Sequence, residues 1–286
     1  MTRQVSITTA PSLTFDVLTA GAPDAALVPL LHGFSESFHM WRPQLDALAT
    51  AGYRAVAPSQ RGYSPGARPD SREFSNYEFD KLVADAMAIA DASGGMDRRF
   101  HLVGHDWGGS LAWAIVDRTP QRLASLTILS RPHPIAFNRA LEMPDGEQKR
   151  RSAHHKWFLE ADAVGRLIAD DARWLRERLT RNKVPAEAIA RHVAVLGNEA
   201  AMAAALAWYR ARGTHHKPVG NTVVPTLYIW GDADDTVGRA AAEGTAEFIS
   251  APYQFAALPG GGHFVADQFP DEVNALLLAH IAKHPA

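Results

Sequence analysis

The first half of the chain alternates short, unbroken apolar runs with amphipathic stretches. The runs are Ala26-Leu-Val-Pro-Leu-Leu31, Tyr53-Arg-Ala-Val-Ala-Pro58, Phe100-His-Leu-Val-Gly104 and Leu123-Ala-Ser-Leu-Thr-Ile-Leu129. Helix-like stretches over 41–51, 77–92 and about 110–118 precede the last three of them. Strands covered by helices on both faces have this continuous Val/Ile/Leu character. Strand following helix following strand predicts a parallel sheet with right-handed crossovers. From about Pro134 to Lys217 no strand is expected. Helices over 151–170, 172–180, 186–195 and 199–212 are expected instead, rich in the helix formers Ala, Leu, Arg and Glu. The alternation resumes with strands over 226–230 and 253–258 and helices over about 238–249 and 271–283.

This pattern predicts an α/β core with a mostly parallel central sheet flanked by helices. The core comprises residues 1–133 and 219–286, with an all-helical lid, 134–218, spliced into it. Pro132, Pro134 and Pro218 stand near the two splice points. A chain of 286 residues suits a core plus an inserted subdomain.

Composition removes several function classes. Lys and Arg total 29 and Asp and Glu total 31, a net charge of −2, so nothing attracts a polyanion or an anionic membrane surface. The absence of Cys excludes disulfides, thiolate catalysis and zinc–sulfur sites. The first fifteen residues lack a charged-then-apolar leader pattern, and the apolar stretch from Ala200 to Trp208 is too short to span a bilayer. A cytoplasmic monomer or homodimer is expected, acting on a small apolar molecule with water and needing no metal or cofactor.

Gly104-His105-Asp106-Trp107-Gly108-Gly109 sits between a strand and a helix. It matches the tight turn G-x-nucleophile-x-G, with Asp in the nucleophile's place. The glycines admit the sharp bend, and the following helix N-terminus favours a negative charge. A Gly-rich turn with Asp as a helix cap is the plainer reading. Gly260-Gly261-Gly262-His263-Phe264 places a histidine in a Gly-rich loop after the last strand, over the edge where such folds place ligands. Gly231-Asp232-Ala233-Asp234-Asp235 supplies a carboxylate at the same edge. Any of its three Asp residues could be a turn residue, and G-x-x-D spacing favours Asp234. Leu129-Ser130-Arg131, the other position for an acid, offers none. Nucleophile, acid and base thus follow in the chain order of the α/β-hydrolase fold. His32-Gly33-Phe34 ends another strand. The backbone N–H groups of Phe34 and Trp107 would form an oxyanion hole, with His32 fixing the loop.

The stretch 31–49, the stretch Ala51-Gly-Tyr-Arg-Ala-Val-Ala-Pro-Ser-Gln-Arg-Gly-Tyr63, the nucleophile motif and Arg131-Pro-His-Pro134 together resemble the α/β-hydrolase-fold epoxide hydrolases, over nearly the whole chain. The resemblance implies Asp106 as nucleophile, Asp234 as acid and His263 as base. It also implies Tyr209, in Leu206-Ala-Trp-Tyr-Arg210, as the lid tyrosine that protonates the epoxide oxygen. The family's second lid tyrosine is replaced here by His154, in His154-His155-Lys156-Trp157-Phe158. Through the same region the chain is similar to fluoroacetate dehalogenases, which hold halide with a His near the place of His155 or Lys156 and a Tyr near Tyr209. Trp107 directly after the nucleophile favours the epoxide hydrolases or the haloalkane dehalogenases instead. His154, His155, Trp157, Phe158 and Trp208 are the expected substrate contacts, with packing as the plainer role for both tryptophans.

The expected reaction opens an epoxide through an Asp106 ester that His263-activated water cleaves, with His154 assisting Tyr209. A carboxylate needs no base to attack an sp3 carbon, which leaves the histidine for water. A dehalogenase, a carboxylester hydrolase and a ligand-binding protein with a dead pocket are the alternatives. His215-His216, adjacent on the chain, and Lys149-Arg-Arg151 are read as a loop pair and a solvated helix face.

Overall fold

The computed structural model describes residues 1–211 and 219–286; His215, His216, Pro218 and the lid's end lie outside them. The strands are β1 (Arg3–Ala10), β2 (Leu13–Ala20), β3 (Leu27–Leu31), β4 (Arg54–Pro58), β5 (Phe100–His105), β6 (Leu123–Leu129), β7 (Thr226–Gly231) and β8 (Tyr253–Leu258). They form one sheet in the order β1-β2-β4-β3-β5-β6-β7-β8. The pairs β1–β2 and β2–β4 are antiparallel and all others parallel.

The helices are α1 (Arg42–Thr50), α2 (Phe79–Ala90), α3 (Trp107–Arg118), α4 (Pro134–Glu142), α5 (Glu147–Arg151), α6 (His154–Trp157), α7 (Ala163–Arg181), α8 (Ala186–Leu196), α9 (Glu199–Arg210), α10 (Arg239–Gly244), α11 (Val265–Gln268) and α12 (Pro270–Ala282). Helices α4 to α9 lie between β6 and β7 with no strand among the described residues. None of the helices is long and apolar enough to cross a membrane.

The central strands are buried along their length because helices cover both faces. Two apolar clusters result. One contains Leu111, Trp113, Ile115 and the lid residues Leu175 and Leu206. The other contains Leu45, Val103, Ile229 and Leu277.

Three elements differ from expectation. The hairpin β1–β2 was unpredicted; its outer strand β1 is largely exposed and carries an alternating rather than continuous pattern. The single helix expected over 151–170 is divided into α5, α6 and the start of α7, because turns at 152–153 and 158–162 fold the aromatic segment back. Helix α4 begins at Pro134, whose fixed φ suits a first helical turn.

Register positions the site. Leu31 pairs with Gly104 and His105 with Leu129, so the loops after β3, β5 and β6 emerge side by side. Gly231 pairs with Leu258, which brings the loops after β7 and β8 together at the same carboxyl edge.

Candidate active site

Asp106 sits at the bend between β5 and α3 with φ 49° and ψ −115°, a conformation side-chain-bearing residues rarely adopt. Neighbouring glycines make the bend possible. A Cβ at Gly104 would lie 2.5 Å from the Gly108 carbonyl oxygen, and one at Gly108 would lie 2.1 Å from that of Leu31. The Phe34 N–H donates to Asp106 Oδ1 at 2.9 Å. Trp107 opens α3, where backbone N–H groups have no intrahelical acceptor.

On the other side of the carboxylate, His263 Nε2 lies 3.6 Å from Asp106 Oδ2. Its Nδ1 lies 3.1 and 3.0 Å from the two oxygens of Asp234. Asp234 is held in turn by the N–H groups of Thr236 (2.7 Å) and Val237 (2.9 Å). The other two candidates for the acid turn elsewhere: Asp232 accepts from the Gly260 N–H, and Asp235 from Asn182 and Thr236.

Electrostatics follow from this geometry. Burial alone would raise the Asp106 carboxyl. The His263 contact, with the charges of His263 and Arg131, outweighs burial and holds it well below the usual carboxylate range. Burial opposes a charge on His263, but Asp234 and Asp106 push it up to about 10. The resting site is therefore an imidazolium between two carboxylates.

His32 is a strut. The Gln60 N–H donates to its Nε2 at 3.2 Å, and burial lowers its pKa to about 3.

The lid residues divide by position. The Tyr209 ring lies 5.1 Å from Trp107, 5.8 Å from Phe34, 5.0 Å from Phe158 and 5.5 Å from His155, centroid to centroid, so it packs on the side chains of Trp107 and Phe34. Phe158 also packs on Phe34 at 5.2 Å. His154 is 5.4 Å from Phe158, and its Nδ1 donates to the Arg151 carbonyl at 3.0 Å. Burial lowers its pKa to about 4, so at neutral pH its Nε2 holds a lone pair and accepts rather than donates. This differs from the expectation that His154 assists Tyr209 as a donor. The Trp208 indole donates to the Arg61 carbonyl at 3.0 Å and ties α9 to the loop after β4. Trp157 packs against Trp174 and beneath Arg166, in an outer stack.

Sequence reasoning missed Tyr63 and Asn182. Tyr63 is fully buried, and its phenol is pushed well above its ordinary value by burial, then by Tyr209 and Asp106. Its signal was its place in the loop after β4, at the carboxyl edge of the sheet. Asn182, at the end of α7, accepts from the His263 N–H at 3.1 Å. Nothing in its local sequence marks that contact.

A family model described as alpha/beta hydrolase fold matches residues 27–270. The chain is 30% identical over 303 residues to Epoxide hydrolase A of Mycobacterium tuberculosis (strain ATCC 25618 / H37Rv), covering 92% of each. It is 29% identical over 276 residues to AB hydrolase superfamily protein YfhM of Bacillus subtilis (strain 168), covering 94% of each. Among solved structures it is similar to Epoxide Hydrolase A from Mycobacterium thermoresistibile, with a TM-score of 0.82 and 27% identity over 99% of this chain and 98% of that one.

Proposed function

Since the chain belongs to the alpha/beta hydrolase fold family and within it to the epoxide hydrolases, we propose that it opens an epoxide to a vicinal diol through a covalent ester on Asp106. One observation carries this reading. The nucleophile position holds a carboxylate, gripped by the Phe34 N–H on one oxygen and facing a histidine–aspartate pair on the other.

An ionised carboxylate attacks an sp3 carbon without a base. Asp106 Oδ2 would bond to the less hindered epoxide carbon as its C–O bond breaks, and Tyr209 would give its phenolic proton to the departing oxygen. Esterification removes one of the two negative charges that hold the proton on His263. Its affinity for that proton falls; the proton leaves to solvent as solvent returns one to the Tyr209 phenolate, and the neutral imidazole becomes a base for water. Hydroxide then adds to the ester carbonyl carbon, with the developing oxyanion held by the N–H groups of Phe34 and Trp107. The acyl C–O bond breaks, His263 returns a proton to the alcohol oxygen and then takes the proton of the new Asp106 carboxylic acid, which restores the carboxylate beside an imidazolium. Asp234, fixed by two backbone N–H groups, keeps Nδ1 protonated and steadies the imidazolium.

We assign residues 1–133 and 219–286 to the core and 134–218 to a cap whose Tyr209, Phe158, His154 and His155 close over the nucleophile. Substrate would lie among these side chains, with Trp208 and Trp157 holding the cap together.

Diol formation from styrene oxide, measured beside halide release from chloro- and bromoalkanes and haloacids and p-nitrophenol release from esters, tests the reading. The expected result is diol alone, abolished by Asp106→Asn. Halide release without diol would replace the epoxide by a haloalkane or haloacid, and ester turnover alone would overturn the reading.

A further inference from the structure

Helix α8 buries Ala188, Ile189, His192, Val193 and Leu196, one face of a regular helix with a single polar member. A fully buried imidazole there must have both nitrogens satisfied. The Ser37 N–H donates to His192 Nδ1 at 3.1 Å, so Nδ1 carries the lone pair. The proton therefore sits on Nε2, which donates to Asp267 Oδ2 at 2.9 Å.

The two partners belong to loops that carry the chemistry. Ser37 lies three residues beyond Phe34, whose N–H grips Asp106. Asp267 lies in α11, four residues beyond His263. These loops are far apart in the chain, and a third segment, from the helical insert, bridges them.

A second chain of contacts runs beside this bridge. His105 Nε2 donates to the His263 carbonyl at 2.9 Å. Its Nδ1 lies 3.2 Å from Glu36 Oε2, a side chain wholly sealed from solvent. Burial, then the neighbouring Asp267, push the Glu36 carboxyl well above its ordinary value, which suits a protonated acid facing a neutral His105.

Glu36, His192 and Asp267 offer atoms within 4.8 Å of one another, close enough to share a cation. The histidine's protonation argues against one. A ligating imidazole bonds the ion through one nitrogen and donates from the other. Here the Ser37 N–H, a donor, occupies Nδ1, so Nε2 must keep its hydrogen.

We propose that His192 is a positioning residue for the hydrolytic half of the reaction, an imidazole from the cap that holds the Phe34 loop and the His263 turn at their working separation. This rests on the function proposed above. Ester formation needs the Asp106 carboxylate and Tyr209. Ester hydrolysis needs the oxyanion donor and the base to address one carbonyl together, and so depends on the distance that His192 fixes.

The test compares wild type with His192→Phe, which keeps the ring shape and loses every bond to Ser37 and Asp267, and His192→Gln, which can still donate to Asp267. Single-turnover quench with styrene oxide and intact-mass detection separates the two half-reactions. The expected result for His192→Phe is hydrolysis slowed roughly ten- to a hundredfold with ester formation within about threefold, so that adduct accumulates. His192→Gln should recover part of the loss, and it serves alone if the Phe variant fails to fold. Hydrogen exchange read by mass spectrometry should show segments 34–38 and 263–268 loosening together, with β5 unchanged. Equal slowing of both half-reactions, or loosening confined to α8, overturns the proposal. A wild type that forms no ester overturns the function proposed above, and the bridge is then decided by exchange alone.

Discussion

His263 Nε2 stands 3.6 Å from Asp106 Oδ2, and both side chains are nearly sealed from solvent. In the reaction proposed above, that pairing would make one histidine the partner of the nucleophile before attack and the activator of water after it.

Removing the imidazole should separate the two steps. His263→Gln leaves the Phe34 N–H on Asp106 and the Tyr209 cluster in place. Ester formation should persist while turnover falls by about 10²- to 10⁴-fold, the usual contribution of a positioned acid–base group. Intact-mass spectra of the variant with styrene oxide should show one substrate-sized adduct, mapping to the peptide containing Asp106. Turnover lost without an adduct would mean that His263 is needed before the ester forms.

Neutralising the nucleophile should release the base. In wild type His263 is pushed to about 10, against burial, by Asp234 and Asp106. Asp106→Asn removes one of those charges, as the ester does, so the His263 pKa should fall. NMR titration of labelled histidine reads this directly. The sign extends to stability. A raised imidazole pKa stabilises the fold fully below 6.5 and loses that contribution as pH climbs through about 10. Asp106→Asn should therefore show a shallower loss of melting temperature between those values.

The residues that were legible in the sequence are those whose role is enforced locally. The central strands announce themselves because burial on both faces forces continuous apolar runs. The bend at Asp106 is visible because the glycines around it have no room for a Cβ. Asp234 could be favoured over Asp232 and Asp235 by its spacing from Gly231. What escaped depends on distance along the chain. The His192 bonds to Ser37 and Asp267 span 155 and 75 residues, and the bond from the His263 N–H to Asn182 spans 81. No local pattern encodes such contacts. The hairpin β1–β2 escaped for another reason: a half-exposed strand need not be apolar throughout.

Gly33 should tolerate no side chain. A Cβ there would lie 2.4 Å from Asp106 Cβ and 2.5 Å from Oδ1. Gly33→Ala must push the Phe34 loop away from the nucleophile or turn the carboxylate. A misplacement on the order of 1 Å costs about a hundredfold in rate, whereas overpacking at one site costs roughly 1–3 kcal/mol of stability. kcat should thus collapse while the protein still melts cooperatively. Activity within about threefold of wild type would show that the contact between Phe34 and Asp106 is dispensable.

Tyr209 and His154 should not share the work of the acid equally. His154 spends its Nδ1 proton on the Arg151 carbonyl and, with its pKa lowered to about 4 by burial, has no hydrogen on Nε2 at neutral pH. Tyr209 carries a phenolic proton and packs on Phe34 and Trp107. Tyr209→Phe keeps the ring that packs on Phe158, so the fold should hold while ester formation slows by about 10²- to 10⁴-fold. His154→Gln should cost less than about fivefold at pH 7, because no proton donor is lost. Below pH 5 wild-type His154 begins to take up a proton and gains a second donor, so the two proteins should diverge as pH falls. Single-turnover rates of ester formation from pH 4.5 to 8 check both statements. A His154→Gln defect as large as that of Tyr209→Phe at neutral pH would mean that this imidazole donates after all, from the tautomer that the Arg151 carbonyl disfavours.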